Sequence, residues 1–476
     1  MRPYFALVPV IIFLLLATGH AIRSGVQPED AGYVVLRVAD NLRQGQGPVF
    51  NPGERVDLID SPLWLAFLTL AGGGEHAPLI AQATGLLLGT FVLLLALVSP
   101  RLAVAGACAS LFVALDGAFA TRATSGTSVT LAALYLLLLA ALLQRPRNRT
   151  AIPRDLTLAA AIAPLVRPEL ALVVGPAVFG WAWSERRRQA WWPCVALCGS
   201  VTCFWIARRF LFDGVPAYWQ PWPPTAIGIT SGIRALAEFL GHRPVLVLGA
   251  LGALWCWVRG TRLPARQTGL VGGLVGLAIF MTLPAAGGDV ERGLLALLPL
   301  GCVLAVESVA RATRTRIGLV VTLLLVVATP SWTWKVRTTH PETHAAYARV
   351  GQWLRTHARP GTVVGAREVG ALAYYSGLRV EDVLGQASPR VAAARRVGAP
   401  RPFAHAAADF APMLRQEPDV VLRGENDPVP SPAVYVPSLD AVPAALRSRL
   451  TPYRWAGSPV WRAPGGGLED AAGPVP

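Results

Sequence analysis

QPEDAGYVVLRVADNLRQGQGPVFNPGERVDLIDSPLW, residues 27–64, is the stretch whose reading decides the fold. It follows the apolar run 4–21 directly, and the next long apolar run starts only at Pro78. Glu29 and Asp30 stand side by side just beyond the first run. Residues 31–43 read as a helix, Gly, Pro and Asn supply a turn region at 45–53, and Ser61-Pro62 opens an amphipathic stretch that brings the chain back to the membrane. A polar loop framed in this way reads as the floor of an active site at a bilayer surface. The plainer reading of the two acids is a charge-favoured start to the helix near Ala31.

Hydrophobic residues make up 53% of the 476 and charged residues 15%, with mean hydropathy +0.46. A water-soluble domain has no way to bury that much apolar surface, so the composition is that of a polytopic membrane protein. A net charge of +15 raises nucleic acid as a partner. The arginines, however, cluster between apolar runs, where topology places them, so the expected partner is the bilayer and not nucleic acid. The cysteines fall in or beside apolar runs without metal-ligand spacing and read as small core residues.

A spanning helix needs about 20 mostly apolar residues. The candidates are 4–21, 78–98, 102–119, 129–143, 156–166, 170–183, 190–207, 245–258, 268–283, 294–310 and 317–331, about eleven in all. Residues 4–21 also resemble a signal peptide, with Gly19-His20-Ala21 as a cleavage site; a retained anchor is preferred because the following loop must return to the membrane nearby. With the amino terminus inside and a crossing at each run, the basic segments at 101, 145–154, 186–188, 259–266 and 311–316 all fall in the cytoplasm. This parity requires 61–70, too short to span, to lie at the outer surface as an interfacial helix. The loops 27–64, 124–128, 167–169, 208–243 and 287–292, and everything from 332 onward, then share the outer face.

From Trp332 the composition becomes that of a soluble domain. A helix at 345–357, strands at 361–366, 379–384 and 418–422, and a short helix at 370–376 predict a small α/β unit able to bury a core of its own. The expected organisation is a helical catalytic domain over 1–331 with a first outer loop at 22–77, an extracytoplasmic α/β domain over 332–462, and a disordered tail at 463–476.

The ordered set Glu29-Asp30-Ala31, Asn41-Leu42, Gly45, Gly47, 49–56 (VFNPGERV) and Ser61-Pro62-Leu63-Trp64 resembles the first outer loop of GT-C membrane glycosyltransferases, and within them the actinobacterial cell-wall arabinofuranosyltransferases. Arg167-Pro168-Glu169, Gly287-Gly288-Asp289 with Arg292, and Tyr374-Tyr375-Ser376-Gly377-Leu378 extend the resemblance in order along the chain. It implies transfer of a sugar, arabinofuranose first, from a polyprenyl-phosphate donor to a cell-wall polysaccharide or glycolipid at the plasma membrane's outer face. A lipid-linked donor needs no nucleotide, and no glycine-rich phosphate loop follows a predicted strand.

The residue types suit that chemistry. An acceptor hydroxyl sheds a proton as it attacks, so a carboxylate must stand beside it. The leaving phosphate calls for arginine or a divalent cation, Mg or Mn. Asp30 is the expected general base, with Glu29 as second acid or metal ligand; as an ordinary helix cap neither would have a chemical role. Arg292 is expected to hold the donor phosphate, with Asp289 orienting it or binding metal; an ion pair at a helix end is the alternative. Arg167 and Glu169 contact sugar or phosphate, or form a structural pair around Pro168. The resemblance places two aspartates where Glu29 and Asp30 stand, and a glutamate near Thr127 or Ser128 where none is present. Those departures motivate a second expectation, a catalytically degenerate relative that binds a glycan or partner. A lipid-linked sugar transporter is a third, and it should carry more polar groups through its spans than Asp116 and Glu307.

Overall fold

A computed structural model describes residues 7–23, 27–98, 103–145, 152–212, 226–259, 265–282, 290–313, 347–349, 351–352, 354–356, 358, 360–366, 368–382, 387–391, 420–421, 451–455 and 458–462. Helices α1 (Val8–Arg23), α2 (Asp30–Arg43), α3 (Pro62–Ala71), α4 (Ala77–Val98), α5 (Ala103–Leu115), α6 (Gly117–Ala123) and α7 (Val129–Gln144) come first. They are followed by α8 (Arg154–Val166), α9 (Ala171–Glu185), α10 (Trp192–Leu211), α11 (Ala226–Gly241), α12 (Pro244–Val258), α13 (Ala265–Thr282) and α14 (Val290–Thr313). The carboxy-terminal part holds β1 (Val363–Ala366), α15 (Gly370–Ser376), β2 (Arg379–Asp382), β3 (Val420–Val421), β4 (Thr451–Trp455) and β5 (Ser458–Arg462).

The protein is a membrane protein built on a helical bundle. Among the described residues, Ala77–Val98, Arg188–Leu211 and Gly293–Ala310 are each long and apolar enough to cross a bilayer. The pair Ile233–Gly241 and Pro244–Trp255, bent by 94°, is a broken span or a re-entrant loop. Most of the other expected runs within the described residues are shorter helices, such as the 13-residue α8 and 16-residue α7; the run 317–331 lies outside them. Small residues let the helices approach closely. A Cβ on Gly273 of α13 would lie 2.6 Å from the Cα of Val173 in α9, and Gly249 and Gly252 of α12 abut Ala305 and Ser308 of α14.

Two expectations about the bundle are corrected. The run 102–119 is not one helix, because Asp116 interrupts it: its Oδ1 accepts from the Phe119 amide at 2.9 Å and so caps α6. The loop 208–243 contains α11, whose Arg234 and Glu238 dilute its apolar signal and pair with each other at 3.0 Å. The two irregularities meet. Arg243, at the bend between α11 and α12, donates Nε to Asp116 Oδ2 at 2.7 Å, and both side chains are 2% exposed. The guanidinium also lies 4.0 Å from the Phe239 ring centre.

Strands β1 and β2 pair in parallel, β1 and β3 likewise, while β5 runs antiparallel to both β3 and β4, giving the order β2-β1-β3-β5-β4. The strands expected at 361–366, 379–384 and 418–422 correspond to β1, β2 and β3, while the expected tail 463–476 lies outside the described residues. Val364, Ala366, Leu372, Ala373 and Val380 share one buried cluster with Tyr33, Leu36 and Val38 of α2, Phe50, and Trp64 and Leu68 of α3. Among the described residues, the amphipathic α2 buries its apolar face against the carboxy-terminal segment, and each covers the other.

Candidate active site

The turn 124–128 between α6 and α7 is where the separated motifs meet. It presents backbone carbonyls in three directions. Thr124 O accepts from Gln82 Nε2 of α4 at 2.9 Å. Ser125 O accepts from the Glu29 amide at 3.1 Å. Gly126 O accepts from Trp64 Nε1 at 2.9 Å. The approach of α2 to this turn needs glycine on both sides: a Cβ on Gly32 would overlap Ser125 O, and Gly126 has φ +75°.

Glu29 and Asp30 are adjacent in sequence but serve different partners. The Glu29 side chain forms a buried ion pair with Arg122, at the end of α6. Asp30 opens α2, and its Oδ1 accepts from the amide of Gly370, at the start of α15, at 2.6 Å. A Cβ at residue 370 would overlap the Asp30 carbonyl oxygen, so only glycine permits this approach.

A second charged group gathers at the ends of α7, α8 and α9. Arg167, after α8, forms an ion pair with Glu169, its Nε 2.7 Å from Oε1, and places Nη2 3.6 Å from Asp60 Oδ2. Asp60 Oδ2 also accepts from Ser128 Oγ at 3.3 Å. Glu169 is 4% exposed, and burial pushes its carboxyl above the usual range against the pull of Arg167. Beyond Asp60, the Arg208 guanidinium of α10 reaches Asp57 at 2.6 Å and the Ile59 carbonyl. Burial outweighs that arginine and raises the Asp57 carboxyl to about 6.

The carboxy-terminal segment closes the arrangement. The Asn51 side-chain amide donates to Val380 O at 3.0 Å and its oxygen accepts from Val380 N at 3.1 Å, so one side chain pairs with the backbone of β2. Arg37 donates to Gly377 O at 3.1 Å, and Arg379 pairs with Glu54. Tyr33 meets the rings of Tyr374 and Tyr375 at 5.6 and 5.5 Å.

Of the residues singled out by sequence, Glu29, Asp30, Arg167 and Glu169 are brought to the same end of the bundle. Arg292 lies in the first turn of α14 with its side chain outside the described residues, and Asp289 lies outside them entirely. For a divalent cation, Glu29 is engaged by Arg122, and among the described residues no three His, Cys, Asp or Glu side chains are grouped to hold a metal. Arg122, Asp57, Asp60 and Arg208 were not singled out by sequence. The acids at 57 and 60, just ahead of Ser61-Pro62, were the available signal.

The helix directions sort the loops. Helix α7 starts at this end, α8 ends here, α9 starts here, and α10 ends here through Arg208. Arg145, at the end of α7, and the basic segment 186–188 therefore lie at the opposite end.

Comparison with known proteins agrees with this architecture. The crystal structure of ArnT from Cupriavidus metallidurans bound to undecaprenyl phosphate superposes with a TM-score of 0.52 over 80% of this chain and 86% of that one, at 12% sequence identity. The fold is thus of the GT-C type. A Mycobacterium tuberculosis protein named terminal beta-(1->2)-arabinofuranosyltransferase is 34% identical over 172 residues, which span 31% of this chain and 27% of that protein's length. A family described as Domain of unknown function (DUF8728) matches residues 335–461. The chain resembles GT-C glycosyltransferases and, among them, arabinofuranosyltransferases.

Proposed function

We propose that the protein is a membrane glycosyltransferase that moves a sugar, arabinofuranose first, from a polyprenyl-phosphate donor to a cell-wall polysaccharide or glycolipid outside the cell. The observation that carries this reading is the convergence of Glu29-Asp30 and Arg167-Glu169 on the turn 124–128, at one end of an ArnT-like bundle. In this reading the site end faces outward, with the described segment 368–382 lying over it. A lipid-linked donor would present its headgroup at the helix ends, and an acceptor polymer would approach from the aqueous side.

Asp30 takes the acceptor's proton as its oxygen attacks the anomeric carbon. The Gly370 amide holds one oxygen of that carboxylate and so fixes the direction of the other. Glu29 neutralises Arg122 and anchors the start of α2. Arg292 and Asp289 would meet the donor phosphate, whose departing charge needs a cation. The described residues offer no ligand set for Mg or Mn, and no step is routed through one.

Membranes containing the protein, incubated with radiolabelled polyprenyl-phosphate sugars, should transfer one of them to endogenous glycan. Failure with every donor in the panel would remove the transferase reading. The second reading, a catalytically degenerate glycan-binding relative, draws on the tight engagement of Glu29 by Arg122 and on serine at position 128. Turnover of any donor eliminates it.

A further inference from the structure

We propose that Asp60, held by Ser128 and Arg167 with Glu169 behind it, forms a carboxylate cradle that binds the hydroxyl groups of the lipid-linked donor's sugar. The inference rests on the glycosyltransferase reading and assigns to that site a residue outside its acid pair. Four observations carry it.

Charge comes first. Arg167 lies between two carboxylates, 2.7 Å from Glu169 and 3.6 Å from Asp60, so its positive charge is already engaged by acids. Such a site suits a neutral polyol, whose hydroxyls donate to carboxylate oxygens. Second, Asp60 is the open member. Its side chain is 23% exposed, against 8% for Arg167 and 5% for Glu169, so its rim is where a ligand can reach. Third, Glu169 Oε2 is buried and accepts no hydrogen bond from the described residues. A buried acceptor left unsatisfied costs free energy that a hydroxyl donor or an ordered water would recover.

The fourth is position. Asp60 precedes Ser61, whose hydroxyl caps α3, and the rest of the cluster sits at the start of α7 and between α8 and α9. Those helix ends are the depth at which a lipid-linked sugar would lie. The same turn that supplies Ser128 holds the Glu29 amide through Ser125 O, so the cradle and Asp30 are fixed to one piece of backbone.

The test uses the full-length protein in lipid nanodiscs. Binding of bare polyprenyl phosphate is compared with binding of polyprenyl phosphates carrying arabinose, ribose, mannose or glucose, and transfer is assayed in parallel. Wild type should bind one sugar-bearing lipid more tightly than the bare lipid. Asp60→Asn should bind that lipid at least about tenfold more weakly, with bare-lipid binding unchanged. The exchange Asp60→Ser with Ser128→Glu returns a carboxylate beside Arg167 from the other side and should recover part of the loss. If Asp60→Asn does not fold, Ser128→Ala and the exchange variant are read against the same lipids. A full sugar increment in the Asp60 and Ser128 variants, or no increment in wild type for any sugar, overturns the cradle. Sugar-dependent binding that needs Asp60 but leads to no transfer overturns the transferase reading and leaves the cradle standing.

Discussion

Asp30 and Gly370, 340 positions apart in the chain, are joined by a hydrogen bond of 2.6 Å from the glycine amide to the carboxylate. Asparagine keeps an oxygen that can accept that bond but has no basicity. Asp30→Asn should therefore leave folded protein in membranes at the wild-type level and reduce transfer at least about 100-fold, the usual scale of a general base. Gly370→Ala should lower both, since its methyl would overlap the Asp30 carbonyl oxygen. Wild-type turnover by Asp30→Asn would remove Asp30 from the chemistry.

Glu29 and Arg122 should behave as a unit. Glu29 is 9% exposed and Arg122 8%. Taking the guanidinium away from a buried carboxylate costs about 3–5 kcal/mol, whereas removing both charges costs far less. Arg122→Gln should unfold at markedly lower denaturant than wild type, and Arg122→Gln with Glu29→Gln should recover most of the difference. Additive losses in that double-mutant cycle would show that the two side chains do not depend on each other.

Asn51 ties the first loop to β2 by two hydrogen bonds. Asn51→Ala leaves a buried N–H and C=O of Val380 without these partners, at about 1–3 kcal/mol each. Hydrogen exchange at residues 379–382 should accelerate while that of α4 does not change. Equal protection in the variant would mean that the docking rests on the shared apolar core alone.

The pH dependence of stability should carry the mark of Asp57. Its carboxyl is raised to about 6 in the fold, against an ordinary value of about 3.9 when unfolded. The folded state thus binds the proton more tightly, and the stability this group contributes is full below about pH 4 and lost as pH rises to about 6. Relative to Asp57→Asn, wild-type Tm should fall across that window and run parallel above it. The opposite slope would show that Arg208, and not burial, governs the group.

The fold was legible wherever local pattern determines local structure. The polar loop after the first apolar run, a helix over 31–43 and strands near 363 and 379 all follow from periodicity and turn residues. Loop parity also placed 27–64, 124–128 and 167–169 together, and the hydrogen bonds through Ser125, Gly126 and Ser128 bear out that grouping. Side-chain pairing was not legible. Arg208 meets Asp57 across 151 positions and Arg243 meets Asp116 across 127, and no period or spacing records such meetings. Helix α11 was missed because its charged pair lies within an otherwise apolar window. The acids at 57 and 60 were overlooked because Glu29-Asp30 carried the resemblance.

Because α2 and the carboxy-terminal sheet cover one buried cluster between them, order of synthesis becomes an element of control. The loop that bears Glu29 and Asp30 leaves the ribosome early, yet Tyr33, Leu36 and Val38 find Val364, Leu372 and Val380 only after the whole bundle has been made. Long-range closure of this kind is slow to form. A chain halted partway through insertion would hold both acids and still lack the amide that aims Asp30, so chemistry waits for the last part of the chain.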